Sequence, residues 1–246
     1  MKKVVTIFES GDHAWKAVAR DPDRQGHLID TNEYVIASDG DAILTDPGGQ
    51  EIFPAVFCAL NESFDPRRIS HIFSSHQDPD VISSLALWLA FNPQLRCYAS
   101  WLWSGFIPHF GGDGGTIIPL PDHGATITVG KLQLEALPAH FLHSSGNFHL
   151  YDPKAKILFT GDVGAALLPD HAQGLFVESF SDHVRYIEGF HRRWMGSMPA
   201  KRAWCERVSK MQIDMLCPQH GAIYQGKDVP RFIEWFDALE VGVLRT

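Results

Sequence analysis

The chain has 246 residues, 45% apolar and 11% aromatic, and a formal net charge of −8. That is enough apolar side chain for one large core, so a single domain spanning residues 1–246 is predicted. The acidic balance, with no Lys/Arg cluster to displace counterions, excludes a surface built to grip a nucleic-acid backbone and leaves a small molecule as the expected partner.

The amino terminus, MKKVVTIFES, lacks the longer apolar region and cleavage site of a signal peptide. The longest apolar stretches, such as residues 81–91, supply about half of the ~20 residues that a bilayer span needs. A cytoplasmic protein with no membrane span is therefore expected. Cys58, Cys97, Cys205 and Cys217 are scattered without C-x-x-C spacing, which predicts buried free thiols rather than a thiolate metal site or a redox pair.

In chain order, VVTIF, EYVIAS and AILTDPGG read as β-strands of a meander, the last ended by Asp-Pro-Gly-Gly. Residues 50–60 have helical apolar spacing. Residues 69–75 form a short apolar strand, followed by the polar loop HQDPDV and a helix over 82–91. The segment FGGDGG, with Asp113 among its glycines, reads as a long surface loop between two halves of the chain. A second strand series follows: TIIPL, ATITV, KLQLEALPA, NFHLYD and KILFTGD. Helices are predicted over 181–195 and 199–211, then the strand IDMLCP, the turn QHGAIY and a final helix from about Val229. Two strand-then-helix halves imply an α/β protein, an αββα sandwich of two sheets flanked by helices.

Thirteen histidines are present, and position sorts them. Four candidates stand at strand ends, where side chains from distant segments converge: His76-Gln77-Asp78-Pro79-Asp80 after IFSS, His143 after EALPAHFL, Asp162 after ILFTG, and His220 after MLCPQ. His76, Asp78 and Asp80 alternate, and Pro79 keeps the loop extended, so the three side chains can divide between two neighbouring cations. Asp78 or Asp80 could equally be the N-cap of the next helix, and Asp162 and His220 could be ordinary turn residues. His140, three residues before His143, could replace it as a ligand; otherwise His140 and His149 are outer partners or structural. His27 could lie near the site or at the surface. Trp101, Trp103, Phe106 and His109 could line a slot, though aromatic stripes more often pack a core.

The order and spacing of all four motifs resemble the metallo-β-lactamase superfamily over essentially the whole chain. That family's H-x-H-x-D-H motif, isolated His, bridging Asp after Gly and final His correspond here to His76, Asp78, Asp80, His143, Asp162 and His220. The resemblance implies a first metal held by His76, Asp78, His143 and Asp162 and a second held by Asp80, Asp162 and His220, ~3.5 Å apart as in other two-metal sites. Asp78 stands where the hydrolases have a second His, as in the flavodiiron and oxygen-binding diiron proteins. Three carboxylates make a hard, anionic set suited to iron, with zinc or manganese as the alternatives. Val81 replaces a further His ligand, leaving the second metal weakly held or with an open position. The resemblance implies a non-haem diiron protein that binds or reduces O2, as a homodimer. No FMN-binding flavodoxin domain is expected in the chain, so turnover would need a separate electron donor. The alternative is a hydrolase of esters, thioesters or phosphoesters using a metal-bound hydroxide.

Overall fold

Short β-branched and aromatic runs separated by turns assemble into two sheets, seen in a computed structural model that describes residues 2–21, 29–111, 114–170, 172 and 174–243. The first holds β1 (Lys3–Ser10), β2 (His13–Ala19), β3 (Glu33–Ser38), β4 (Asp41–Thr45), β5 (Ile69–Phe73), β6 (Arg96–Ser100) and β7 (Ile117–Leu120), neighbours in that order. The second holds β8 (Ala125–Val129), β9 (Leu132–Pro138), β10 (Phe148–Asp152), β11 (Ile157–Gly161), β12 (Met215–Pro218) and β13 (Tyr224–Gln225), again consecutive.

Strands β1 to β4 form the predicted antiparallel meander. From β4 to β7 the neighbours run parallel, and parallel pairs need crossovers. Helix α1 (Phe53–Ser63) makes the first crossover, and α2 (Pro79–Ile82) with α3 (Leu85–Phe91) makes the second. In the second sheet only β11 and β12 are parallel, connected through α4 (Phe180–Trp194) and α5 (Met198–Val208); α6 (Asp228–Ala238) follows β13. Trp15, Tyr34, Ile43 and Phe73 of the first sheet pack against Phe148, Leu150, Ile157 and Phe159 of the second. The outer faces are covered by α1 and α3 on one side and by α4, α5 and α6 on the other. This is the expected αββα order. Its consequence for function is that the parallel pairs β4/β5 and β11/β12 bring the carboxyl ends of those strands together, and the loops that leave them converge.

Several expectations need correction. The helix expected over 82–91 is broken at Ser83 and Ser84, because the loop after β4 takes its hydrogen bonds: Gly48 N–H donates to the Val81 carbonyl, and Ser84 N–H donates to the Gly48 carbonyl. The Ser84 hydroxyl donates to Pro47 O at 3.0 Å. Strands β2 and β6 were not evident from sequence, since HAWKAVA and RCYAS are poor in β-branched residues; pairing on both sides holds them in the sheet. Cys58 is exposed on α1, while Cys97, Cys205 and Cys217 are buried, and none is disulfide-bonded. Val81 lies fully buried in the apolar cluster beneath α1 and α3. Asp113 and His27 fall outside the described residues.

Candidate metal centre

The strand ends deliver all six predicted side chains to one place. His76 follows β5 and is buried. Asp78 is the residue before α2, held extended (φ −67°, ψ 151°) ahead of Pro79, but its side chain makes no capping hydrogen bond. Its carboxylate is thus free to face the histidines, which disposes of the simple N-cap alternative. Asp80 stands in the first turn of α2. His143 comes from the loop between β9 and β10. Asp162 follows Gly161, whose φ is +52°, and a Cβ at 161 would sit 2.8 Å from Ser75 Oγ, so glycine is required there. His220 follows β12 and precedes Gly221 (φ +87°), where a Cβ would meet Ala166 Cβ at 2.6 Å.

The geometry divides into two groups that share Asp162. Asp162 Oδ2 lies 3.2 Å from His143 Nε2 and 3.8 Å from His76 Nε2. Asp78 Oδ2 lies 3.3 Å from His143 Nε2 and 3.6 Å from His76 Nε2. The two imidazole nitrogens face each other at 3.2 Å. On the other side, His220 Nε2 lies 3.3 Å from both Asp162 Oδ1 and Asp80 Oδ2. His76, Asp78 and His143 alone offer three ligand atoms within 4.8 Å of one another.

This donor set fits cations. Asp162 Oδ1 is buried without a hydrogen bond. Among the described residues, no Lys or Arg stands within ion-pair range of Asp78, Asp80 or Asp162. Asp162, the buried one of the three, needs compensating charge, which protonated imidazoles provide in the metal-free protein and a bound metal would provide in their place. The more open side is formed by Asp78 and Asp80, whose side chains are 28% and 38% exposed against 1–11% for the other four.

An outer layer, not evident from sequence, fixes the histidines. His76 Nδ1 meets Ser75 Oγ at 2.9 Å, and that hydroxyl is 2.5 Å from Asp46 Oδ2, while Ser75 N–H donates to Asp46 Oδ1 at 2.7 Å. His220 Nδ1 faces the Asp30 carbonyl at 3.0 Å. The Gln219 amide donates to Asp80 O at 2.9 Å and so ties two motif loops together. Such partners set the tautomer and aim of a ligating histidine. In sequence Asp46 is simply the first residue of the turn Asp-Pro-Gly-Gly, which conceals its reach to Ser75.

Among the protein groups alone, burial would lower the His76 imidazole, but Asp78, Asp162 and Asp46 outweigh it and raise it to about 9. His220 is likewise lifted well above its ordinary value by Asp162 and Asp80 against the effect of burial. Burial would raise Asp78 and Asp162, yet the surrounding imidazoles hold both well below the usual carboxylate range. A cation must displace the protons from His76 and His220, so metal affinity is expected to climb with pH up to about 9, roughly tenfold per unit for each proton displaced. Cobalt(II) titrations at several pH values check this, and a pH-independent affinity would contradict it.

Of the other candidates, His140 turns away, its Nε2 2.9 Å from Asp122 O. His149 is buried, and its Nδ1 accepts from Trp204 Nε1 at 3.2 Å. Trp103 packs against the core, whereas Trp101, Phe106 and His109 are exposed. His191 on α4 has a supporting part: Gly164 N–H donates to its Nε2 at 2.9 Å and its Nδ1 donates to Ile187 O at 2.8 Å, which anchors the loop behind Asp162. Burial pushes this imidazole down to about 4. The unfolded chain takes up its proton near the ordinary value of 6.5, so the folded state loses stability as pH falls from there towards 4, by roughly 3 kcal/mol. His191→Leu is expected to flatten that part of the melting-temperature profile while lowering stability at pH 7 by about 1–3 kcal/mol, because the Gly164 N–H is left unpaired. An unchanged acid limb would contradict this.

A two-sheet sandwich flanked by helices, with an acid–histidine cluster where the strands end, is the metallo-β-lactamase fold. A family model described as ODP family beta lactamase matches residues 29–221, and the chain belongs to that family. It is similar to a structure described as the apo state of chemotaxis sensor ODP from T. denticola, at 38% identity and TM-score 0.87, covering 98% of this chain and 96% of that one. A structure described as a peroxy diiron species of chemotaxis sensor ODP is 37% identical at TM-score 0.86, with the same coverage. Rubredoxin oxygen:oxidoreductase from Desulfovibrio gigas shares the fold at 16% identity and TM-score 0.83, over 96% of this chain and 61% of that one. Diflavin flavoprotein A 1 from Synechocystis sp. is 29% identical over 133 residues, which are 54% of this chain and 23% of that protein. The chain therefore aligns with about a quarter of that curated relative. Among the described residues no helix is long and apolar enough to cross a membrane.

Proposed function

We propose that the protein is a non-haem diiron protein that binds O2, with one iron held by His76, Asp78, His143 and Asp162 and the other by Asp80, Asp162 and His220. The observation that carries this reading is the division of Asp162, whose Oδ2 faces His76 and His143 while its Oδ1 faces His220. A carboxylate split in this way is suited to bridging two cations. The acid-rich donor set supports iron over zinc, because hard oxygen ligands stabilise the higher charge that iron reaches on meeting O2. Further support comes from the ODP relatives, one of which is described as a peroxy diiron species.

Bound ferrous ions would supply the electrons with which O2 is held, a capacity the side chains lack. The chain's own residues contribute geometry and charge. His76 and His220 are aimed from behind by Ser75 and the Asp30 carbonyl, and Asp78 and Asp80 form the accessible side. Binding, as in a sensor, is the activity we assign, in line with the relatives described as chemotaxis sensor ODP. Assembly as a homodimer belongs to the same reading and rests on family likeness alone.

The test is to load the protein with ferrous iron anaerobically and admit O2 while recording the visible spectrum. A new visible band that persists without added reductant is expected. A silent spectrum, together with hydrolysis of a model ester by the zinc-loaded protein, would replace this reading with the hydrolase.

A further inference from the structure

The three histidines of the centre are not oriented in the same way. His76 and His220 each have an oxygen behind Nδ1, Ser75 Oγ and Asp30 O respectively. The polar contacts of His143 all run through Nε2, and among the described residues none is made by its Nδ1. What stands against this imidazole is Trp194, with ring centroids 5.2 Å apart and planes at 71°, so that one ring's edge meets the other's face. Trp194 occupies the last turn of α4 and is 51% exposed. Its plane is fixed from below by Phe190, stacked one turn earlier at 5.7 Å and 15°, and Phe190 is itself buried. The indole is half-exposed, so its contacts are chiefly those with Phe190 and His143.

We propose that Trp194 is a positioning residue for His143, holding the imidazole by an edge-to-face contact where the other two histidines use a hydrogen bond. This rests on the metal-centre reading above. Edge-to-face is a favoured arrangement of such a ring pair, and the contact fixes the plane of the imidazole and with it the direction of Nε2. The order of support is Phe190, Trp194, His143, then the first metal. The second metal, on the His220 side, lies outside it.

The experiment uses the full chain with cobalt(II) as the probe, reading stoichiometry, affinity and the visible ligand-field bands, with thermal melting as a check on folding. Trp194→Leu is expected to weaken one of the two bound cobalt ions about tenfold and change its bands while leaving the other as in the wild type. Trp194→Phe, which keeps an aromatic face, is expected to restore most of that loss. In a His143→Ala background, Trp194→Leu should have no additional effect, because the interaction it removes is already gone. Trp194→Gln carries the same comparison if the Leu variant does not fold. Unchanged affinities and bands in the folded Leu or Gln variant, or an equal loss with and without His143, would overturn the proposal. Failure of the wild type to take up cobalt would instead overturn the metal-centre reading, and this proposal with it.

Discussion

Asp162→Asn is expected to empty both halves of the centre together, with a fall in affinity on the order of 100-fold or more for each metal, beyond the range seen when outer partners are removed. Asp162 is the only side chain of the six with one oxygen towards each group, Oδ2 at 3.2 Å from His143 and Oδ1 at 3.3 Å from His220. An amide has a single acceptor oxygen and no charge, so it can serve one side at most and leaves the three imidazoles without their shared counter-charge. Asp80→Asn should by contrast release only the metal on the His220 side, since Asp80 faces that histidine alone. Metal content after desalting distinguishes the two variants. An Asp162→Asn protein that retained two metals per chain would show that the carboxylate does not bridge.

Asp46→Ala is expected to have the next largest effect, on stability and metal binding at once. Asp46 is fully buried and accepts both the N–H and the hydroxyl of Ser75. Removing it leaves two buried donors unpaired, at about 1–3 kcal/mol each, so a loss of roughly 3 kcal/mol is expected. For a chain of this length that lowers the melting temperature by about 6–12 °C. His76 also loses the group that fixes the Ser75 hydroxyl behind it, which should weaken the first metal by about 10–100-fold. Asp46→Asn keeps one acceptor for the Ser75 N–H and should fall between the two proteins. Calorimetry and metal titration read both effects. An alanine variant that melts and binds as the wild type does would refute the Asp46–Ser75–His76 relay.

The parts of this architecture that could be read from sequence are those governed by short-range rules. Strands such as EYVIAS and NFHLYD declare themselves through β-branched and aromatic residues, and the six acid and histidine positions fall at or just after strand ends, where the family resemblance separates them from N-cap and turn residues. The structure gathers those six side chains into one cluster. What was not legible depends on contacts between distant segments. The break between α2 and α3 arises because Gly48, more than thirty residues away in the chain, takes the hydrogen bonds of that turn. Strand β2 exists because β1 and β3 pair with it on both sides, whatever the low β-propensity of its alanines. Asp46 is indistinguishable in sequence from any turn aspartate, and only folding places it on Ser75. Trp194 and His191 lie on one helical segment, and nothing local says that one meets His143 and the other the loop behind Asp162.

Elemental analysis of protein isolated without added metal shows whether this acid-rich cluster holds two irons. About two irons per chain are predicted, falling together in Asp162→Asn. Stoichiometric zinc that resists exchange, with iron absent, would rule out a diiron centre.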